Sequence, residues 1–205
     1  MRVRSEKKRS EIIDIAGALF LREGYGSVSM ATIASAVGGS KGTLYGYFSS
    51  KEEIFAAFVI AAGKQRREEF LLLPEGGAGL ASTLTALGIN YLRLLLSPEI
   101  MSINRLVIAE ATRFPELGKI FFENGPKSII GVIASILAQA ADRQELTICD
   151  PGGAAWRFKA LCEARLFEQC LWAIRDGATE EEIAQNVEPA VRIFLNTFGT
   201  GNGPA

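Results

Sequence analysis

The side chains able to do chemistry concentrate in one stretch, Ser29 to Lys51, SMATIASAVGGSKGTLYGYFSSK. It offers hydroxyls at Ser29, Thr32, Ser40 and Thr43, cations at Lys41 and Lys51, phenols at Tyr45 and Tyr47, and bare backbone at Gly42. These are the groups that contact phosphate oxygens and base edges of duplex DNA, and in the body of the chain no nucleophile has a base nearby in sequence. Lys41 can reach a guanine edge or a phosphate, Gly42 permits close backbone approach, and Thr43 offers a methyl or a hydroxyl. Tyr47 and Lys51 suit phosphate anchoring, Lys51 at a helix N-terminus whose N–H groups also favour anions. Ser29 and Thr32 can reach phosphate from the preceding helix. Tyr45 has two readings: a ring facing DNA, or a ring in the core with only its hydroxyl outside. On this reading Lys41→Ala alters sequence preference, and Lys51→Ala lowers the salt dependence of binding.

Two short helices must hold these groups. Ser29 can cap the first, whose apolar stripe is Met30, Ile33, Ala34 and Val37. Gly38-Gly39 supplies a sharp turn, and Ser40 can cap the second, with Leu44 and Phe48 facing inward. The arrangement is a helix-turn-helix, whose second helix enters the major groove. A preceding amphipathic helix over Arg9–Arg22, apolar at Ile12, Ile13, Ala16, Leu19 and Phe20, buttresses it. A fourth opens at Lys51-Glu52-Glu53 and runs to about Leu73, leaving the head as a lever into the rest of the chain.

Beyond a break at Pro74–Gly79 the pattern is helical throughout, over about 80–96, 98–114, 115–123, 126–142, 153–175 and 179–198. Pro98, Pro115 and Pro126 mark starts, and Thr179 with Glu182 forms a capping box. Pro189 should kink the last helix or split it after Glu188. The one departure from helix is a short extended piece at Leu146–Cys149. The fold class is therefore all-α: a three-helix head, residues 1–50, on a six-helix ligand-binding and dimerisation bundle, residues 51–198, with 199–205 a disordered tail.

Composition narrows the function. The 205 residues are 48% hydrophobic and contain no histidine, which removes Ser-His-Asp and Cys-His catalysis and histidine zinc sites. Cys149, Cys162 and Cys170 lack metal-ligand spacing and read as reduced, small apolar residues, so no cofactor or metal is expected. No apolar run approaches the roughly 18 residues of a membrane span, and no signal-peptide core follows the charged start; the expectation is a cytoplasmic protein without a membrane partner. Residues 1–51 hold eight basic and four acidic side chains, +4, so the remainder carries −5 of the overall −1. A basic head on an acidic body suits polyanion binding at one end.

The stretch resembles the tetracycline-repressor-like (TetR) family of bacterial transcription regulators. The resemblance rests on Gly24-Tyr25, Val28-Ser29-Met30, Ile33-Ala34, Ser40-Lys41-Gly42-Thr43-Leu44-Tyr45, Tyr47-Phe48 and Ser50-Lys51-Glu52. Arg105–Pro126, RLVIAEATRFPELGKIFFENGP, further looks like the AefR-like branch. The resemblance implies a homodimer that binds a double-stranded operator, pairs its last two helices, and is released by a small-molecule effector held in its body. One feature departs: the family commonly has Ala-Gly-Val-Ser where this chain has Val37-Gly38-Gly39-Ser40. Gly39 cannot pin the turn to the core, so the recognition helix should be less rigidly held in the free protein.

For the effector, Tyr91, Met101, Phe114, Phe121, Phe122, Trp156 and Trp172 are candidate apolar lining, with Asn104, Arg105 and Glu110 as polar contacts. Each ring can instead be core, and Glu110 can simply pair with Arg113 on the surface. For the dimer, Cys162, Leu166, Cys170 and Ala173 form one stripe, and Ile183, Val187, Ala190 and Phe194 another. Either stripe could instead be buried within one subunit. The leading reading is a ligand-responsive repressor. An all-helical carrier or enzyme sequestering a hydrophobic molecule is the alternative, and control by a protein partner is a third.

Overall fold

The computed structural model describes residues 5–73 and 79–200, without the side chains of 65–69. These residues form eleven helices: α1 (Glu6–Glu23), α2 (Met30–Ala36), α3 (Lys41–Tyr45), α4 (Lys51–Phe70), α5 (Leu80–Leu95), α6 (Pro98–Glu110), α7 (Pro115–Asn124), α8 (Pro126–Asp142), α9 (Pro151–Glu163), α10 (Leu166–Leu171) and α11 (Glu180–Phe198). They are arranged in two compact units, 1–63 with 102–126, and 64–101 with 127–205. Most of the expected break at Pro74–Gly79 lies outside the described residues, as does 201–205 of the expected tail.

The first unit is built on rings. Phe20 of α1, Tyr25 of the following turn and Phe55 of α4 are each fully buried and meet at centroid distances of 5.3, 5.6 and 5.9 Å. Burying each is worth roughly 1.5–3 kcal/mol, and edge-on ring contacts add to that. Ile12, Ile33, Leu44, Phe48 and Ile54 complete this core from all four helices of the head region. Serines start the two small helices: Ser29 Oγ accepts the Thr32 amide at 3.1 Å, and Ser40 Oγ accepts the Thr43 amide at 3.1 Å. The turn between them closes like a Schellman motif. Gly38 sits at φ +68°, its N–H reaches Ser35 O, and the Gly39 N–H reaches Ala34 O. Only Gly38 uses the left-handed region. Gly39 does not.

The second unit packs α5, α8, α9, α10 and α11 around Leu84, Leu87, Ile133, Leu137, Phe158, Val187 and Phe194. α5 lies so close to its neighbours at Gly88 that an added Cβ would sit 2.7 Å from Val187 and 3.2 Å from the Cys162 sulfur. α11 begins at the expected capping box, Thr179 with Glu182, and Arg175 reinforces it at 2.6 Å. The Arg175 hydrogen bond, with the Thr179 backbone, holds the Glu182 carboxyl at about 2. Pro189 lies within α11 and does not split it; the bond it removes is that to Gln185, an exposed residue.

Three expectations change. The helix expected over 153–175 is two, because Arg165 takes φ +70°, ψ −59° and the Leu166 amide bonds the Ala164 carbonyl at 2.9 Å. This is the rarer, strained form of γ-turn. Leu146–Cys149 contributes a single antiparallel bridge, Leu146 to Gly199, so residues 199 and 200 of the expected tail are tied down, Thr200 bonding the Glu145 carbonyl at 3.2 Å. Finally, α7 and α8 taken end to end, Pro115–Asp142, have the length and composition of a membrane span, which the sequence reading did not anticipate. Ile129, Ile130, Ile133 and Leu137 of α8 face the core of the second unit.

The turn yields a paired prediction. A Cβ on Gly39 would meet only Thr43, at 3.8 Å, with no backbone penalty. Gly39→Ala should therefore stabilise the protein by about 0.4–1 kcal/mol and slow amide exchange over 38–48. Gly38→Ala, at positive φ, should destabilise it by about 1 kcal/mol or more. Urea midpoints of the two variants against the parent read both signs.

Candidate nucleic-acid interface

Capping determines what the small helices display. With Ser29 and Ser40 fixing their starts, Leu44 and Phe48 turn inward, while Ser40, Lys41, Gly42, Thr43 and Tyr45 remain on the surface. Tyr45 is 53% exposed, which decides between its two readings: the ring stands outside the core. Ser29 is exposed and Thr32 half-buried, their hydroxyls 2.9 Å apart; those of Ser40 and Thr43 are 3.0 Å apart. Each hydroxyl pair retains acceptor lone pairs for a further partner. Tyr47 is half-buried, and its hydroxyl accepts the Ser5 amide at 3.2 Å, joining the start of α1 to the end of the motif. Lys8 donates to the Val37 carbonyl at 3.3 Å, and the Arg9 guanidinium lies 4.9 Å from the Phe48 ring centre. Two cations of the basic start thus brace the motif from within.

Lys51 departs from the expected phosphate anchor. Its ammonium donates to the Tyr25 carbonyl at 2.8 Å and the Val28 carbonyl at 2.9 Å, and lies 3.9 Å from the Tyr25 ring centre. Burial lowers its pKa, against the pull of Glu52, Glu110 and Glu116. Beneath it the Tyr25 hydroxyl donates to Glu52 at 3.1 Å, and burial with the Glu52 charge raises the phenol pKa. Lys51 is a clamp on the turn between α1 and α2.

Two residues expected to touch an effector reach the same turn. Glu110, the last residue of α6, accepts the Gly26 amide through Oε1 at 3.5 Å. Phe114 stands edge-on to Tyr25 at 5.3 Å and lies 5.6 Å from the Lys51 ammonium. Pro115 keeps Phe114 out of helical backbone, at φ −127° and ψ 77°, which ends the helical course expected to run to 114. Arg113 lies over the Phe114 ring at 5.2 Å. The other effector candidates divide between the units. In the first, Asn104 is buried, Arg105 and Phe122 are exposed and Phe121 is half-buried. In the second, Tyr91 and Met101 belong to the core, whereas Trp156 and Trp172 are 40% and 65% exposed.

The second unit holds a polar cluster that sequence reasoning missed apart from two of its rings. The buried Tyr91 hydroxyl donates to Glu163, and Lys159 bonds Glu163 at 2.6 Å. The Lys159 ammonium lies 5.4 Å from the Trp156 ring and 5.9 Å from that of Tyr91. Lys159 and Glu163 are one turn apart on α9, a spacing visible in the sequence, but only the fold brings Tyr91 to them. Burial, then Glu163, pushes the neighbouring Cys162 thiol up to about 12, leaving an unreactive packing residue.

The dimer stripes need correction. Cys162, Leu166, Cys170, Ile183, Val187, Ala190 and Phe194 are all buried within the single subunit, none more than 3% exposed, so the two stripes face the subunit's own core rather than a partner. Hydrophobic periodicity located the buried face of each helix, and the subunit's own core takes it. Ala173 is exposed, but at φ +55° just past the end of α10. The outward faces of α9 and α11 instead bound a groove of about 460 Å³, lined by Arg157, Ala160, Leu161, Ala164, Phe194, Thr197 and Phe198.

Comparisons with known proteins agree with this architecture. A model of bacterial regulatory proteins of the tetR family matches residues 12–58, and one of the AefR-like transcriptional repressor C-terminal domain matches residues 82–200. Among solved structures, the flavonoid-responsive regulator FrrA is 32% identical, with a TM-score of 0.85 over 96% of this chain and 100% of that one. A TetR-family regulator from Mesorhizobium loti is 28% identical, with a TM-score of 0.80 over 97% and 100%. Another, from Pseudomonas syringae pv. tomato, is 25% identical, with a TM-score of 0.77 over 96% and 100%. No curated protein matches the chain.

The two lysines of the motif should separate experimentally. Lys51→Met leaves two carbonyls without their donor and should cost about 1–3 kcal/mol in stability. It should change the salt slope of duplex binding by well under the roughly one unit that a lost phosphate contact removes. Lys41→Met should do the reverse, as read by thermal unfolding and by fluorescence anisotropy with a labelled duplex at several salt concentrations.

Proposed function

The chain belongs to the TetR family of transcriptional regulators, with an AefR-like C-terminal domain, and from that membership we propose that it is a homodimeric repressor released from its operator by a small apolar or amphipathic effector. Ligand-responsive repression is typical of the family. The observation that carries the proposal is the exposed ridge Lys41-Gly42-Thr43 with Tyr45, held on a serine-capped helix whose Leu44 anchors it inside. Residues 1–50 are the DNA-binding domain on this reading, with Ser29, Thr32 and Tyr47 on phosphates and Lys41 and Thr43 at base edges. Residues 51–198 serve effector binding and dimerisation.

The dimer forms through the outward faces of α9 and α11. Ala160 and Ala164 allow close helix approach there, with Leu161, Thr197 and Phe198 as the apolar contact. Twofold pairing on this face presents two recognition helices to half-sites about one duplex turn apart, roughly 34–36 Å. The effector class to try first is aromatic and polyphenolic, since FrrA is named for its response to flavonoids. Such a molecule shifts operator affinity only by its difference in affinity for the two arrangements of the protein.

Selection of duplexes from a random pool by the purified protein defines the operator. Lys41→Ala should then weaken binding by at least about tenfold and relax preference at one position. Ala160→Arg places a charge in the proposed interface, and should shift sedimentation from dimer to monomer and weaken operator binding in parallel. A wild-type protein that sediments as a monomer, or a pool that yields no preferred sequence, would overturn the proposal.

A further inference from the structure

The DNA-reading head is joined covalently to the rest of the chain by α4 alone. A single helical stem leaves a head free to swing about its base, and a swinging head cannot enforce a fixed distance between two half-sites. The corner between α6 and α7 supplies a second point of attachment. Phe114 packs edge-on against Tyr25, Glu110 accepts the Gly26 amide, and the Lys51 ammonium lies near both rings, 3.9 Å from the Tyr25 centre and 5.6 Å from that of Phe114, tying α4 to the same place.

Gly26 makes this seat possible. Its backbone is not in the left-handed region, so conformational freedom does not explain a glycine there. Space does. A Cβ on Gly26 would lie 2.9 and 3.1 Å from two Phe114 ring carbons and 3.3 Å from Glu110 Oε2. The ring occupies the place where a side chain would stand. Pro115 restricts the backbone of Phe114, so a Cβ on Gly26 must be met by rotation of the ring out of its seat or by a shift at the start of α7.

We propose that Phe114 and Glu110 are positioning residues for DNA recognition: seated on Gly26, they give the head its second attachment and set the half-site spacing that the dimer accepts. Neither touches DNA. α4 and α6 each continue without interruption into residues of the second unit, 64–70 and 98–101, so the chain passes between the units along both helices. The inference rests on the DNA-binding reading above, and it assigns these two residues to the head rather than to the effector.

The test uses the full-length protein and the duplex it selects from a random pool, approached from both sides of the contact with Gly26→Ala and Phe114→Ala. Anisotropy titrations compare the selected spacing, the same duplex with one base pair inserted or removed between half-sites, and a duplex bearing one half-site. The wild type should lose about tenfold or more in affinity for each altered spacing. Either folded variant should lose less than about threefold while keeping its single-half-site affinity within about twofold of wild type. A merely structural role would weaken single-half-site and full-site binding together and leave the spacing preference intact; that result overturns the proposal. So does a folded Gly26→Ala protein that discriminates spacing like the wild type, and this arm stands even if Phe114→Ala fails to fold. A pool that yields no preferred duplex instead overturns the DNA-binding reading itself.

Discussion

The first unit depends on one cation in an awkward place. The turn between α1 and α2 leaves the carbonyls of Tyr25 and Val28 pointing away from any helix ladder, and a backbone acceptor left unpaired there costs free energy comparable to a lost hydrogen bond. The Lys51 ammonium satisfies both, 2.8 and 2.9 Å away, and offsets its own desolvation against the Tyr25 ring face. Because Lys51 opens α4, this one group links the entry to the helix-turn-helix with the stem that leaves it. Tyr25 then spans the core between Phe20 and Phe55, with its hydroxyl on Glu52. The geometry of the recognition ridge is inherited from this node: α2 starts two residues after Val28, behind the cap supplied by Ser29, and α3 follows across a turn of three residues beyond the C-cap.

That dependence explains how the glycine-rich turn is tolerated. Gly38 and Gly39 leave α3 poorly anchored at its N-terminal side, since neither carries a side chain into the core. The compensation comes from the other end. Leu44 and Phe48 are buried, Arg9 lies over the Phe48 ring, and Tyr47 is bonded to the first residue before α1. Lys8 reaches the carbonyl at the end of α2. The charged start of the chain therefore has a packing role at Lys8 and Arg9, while Lys41 stands out with its charge on the surface.

Much of this was legible from residues alone, and the failures share a cause. The helix-turn-helix, its caps and its inward residues were readable because they are local: a serine, a three-residue interval and an apolar stripe lie within a few turns. Helix starts at proline and at Thr179 were readable for the same reason. The dimer stripes were not. Periodicity reports which face of a helix is apolar, and it is silent on whether the covering surface comes from the same chain or another. On α9 and α11 the strongest stripes belong to the subunit core, and the outward face carries the weaker signal of Ala160, Ala164 and Thr197. Glu110 and Phe114 failed similarly. Gly26 lies 84 residues from Glu110, and Tyr25 is no closer to Phe114, and nothing local distinguishes a carboxylate that holds a backbone amide from one that greets a ligand.

The break between α9 and α10 joins two facts that look unrelated in the sequence. No glycine or proline marks Ala164-Arg165, so the pattern reads as one helix. In a continuous helix the Leu166 amide would bond the Cys162 carbonyl; here it bonds Ala164 instead, and the Cys162 carbonyl loses its helical partner deep in the core. Asn186, a polar residue in the middle of the buried stripe of α11, donates its side-chain amide to that carbonyl at 2.8 Å. A buried asparagine between Ile183 and Val187 reads as a defect until the broken helix supplies its acceptor. A backbone held in such a region costs of order 1–3 kcal/mol and persists only where the surroundings over-determine it. Three residues meet that condition on either side of Arg165: Cys162 is held by Asn186, Glu163 by Tyr91 and Lys159, and Leu166 by burial in the core. The buried polar cluster and the strained turn are thus one device. It lets the chain change direction where an unbroken helix would carry Leu166 and Cys170 off the core they now fill.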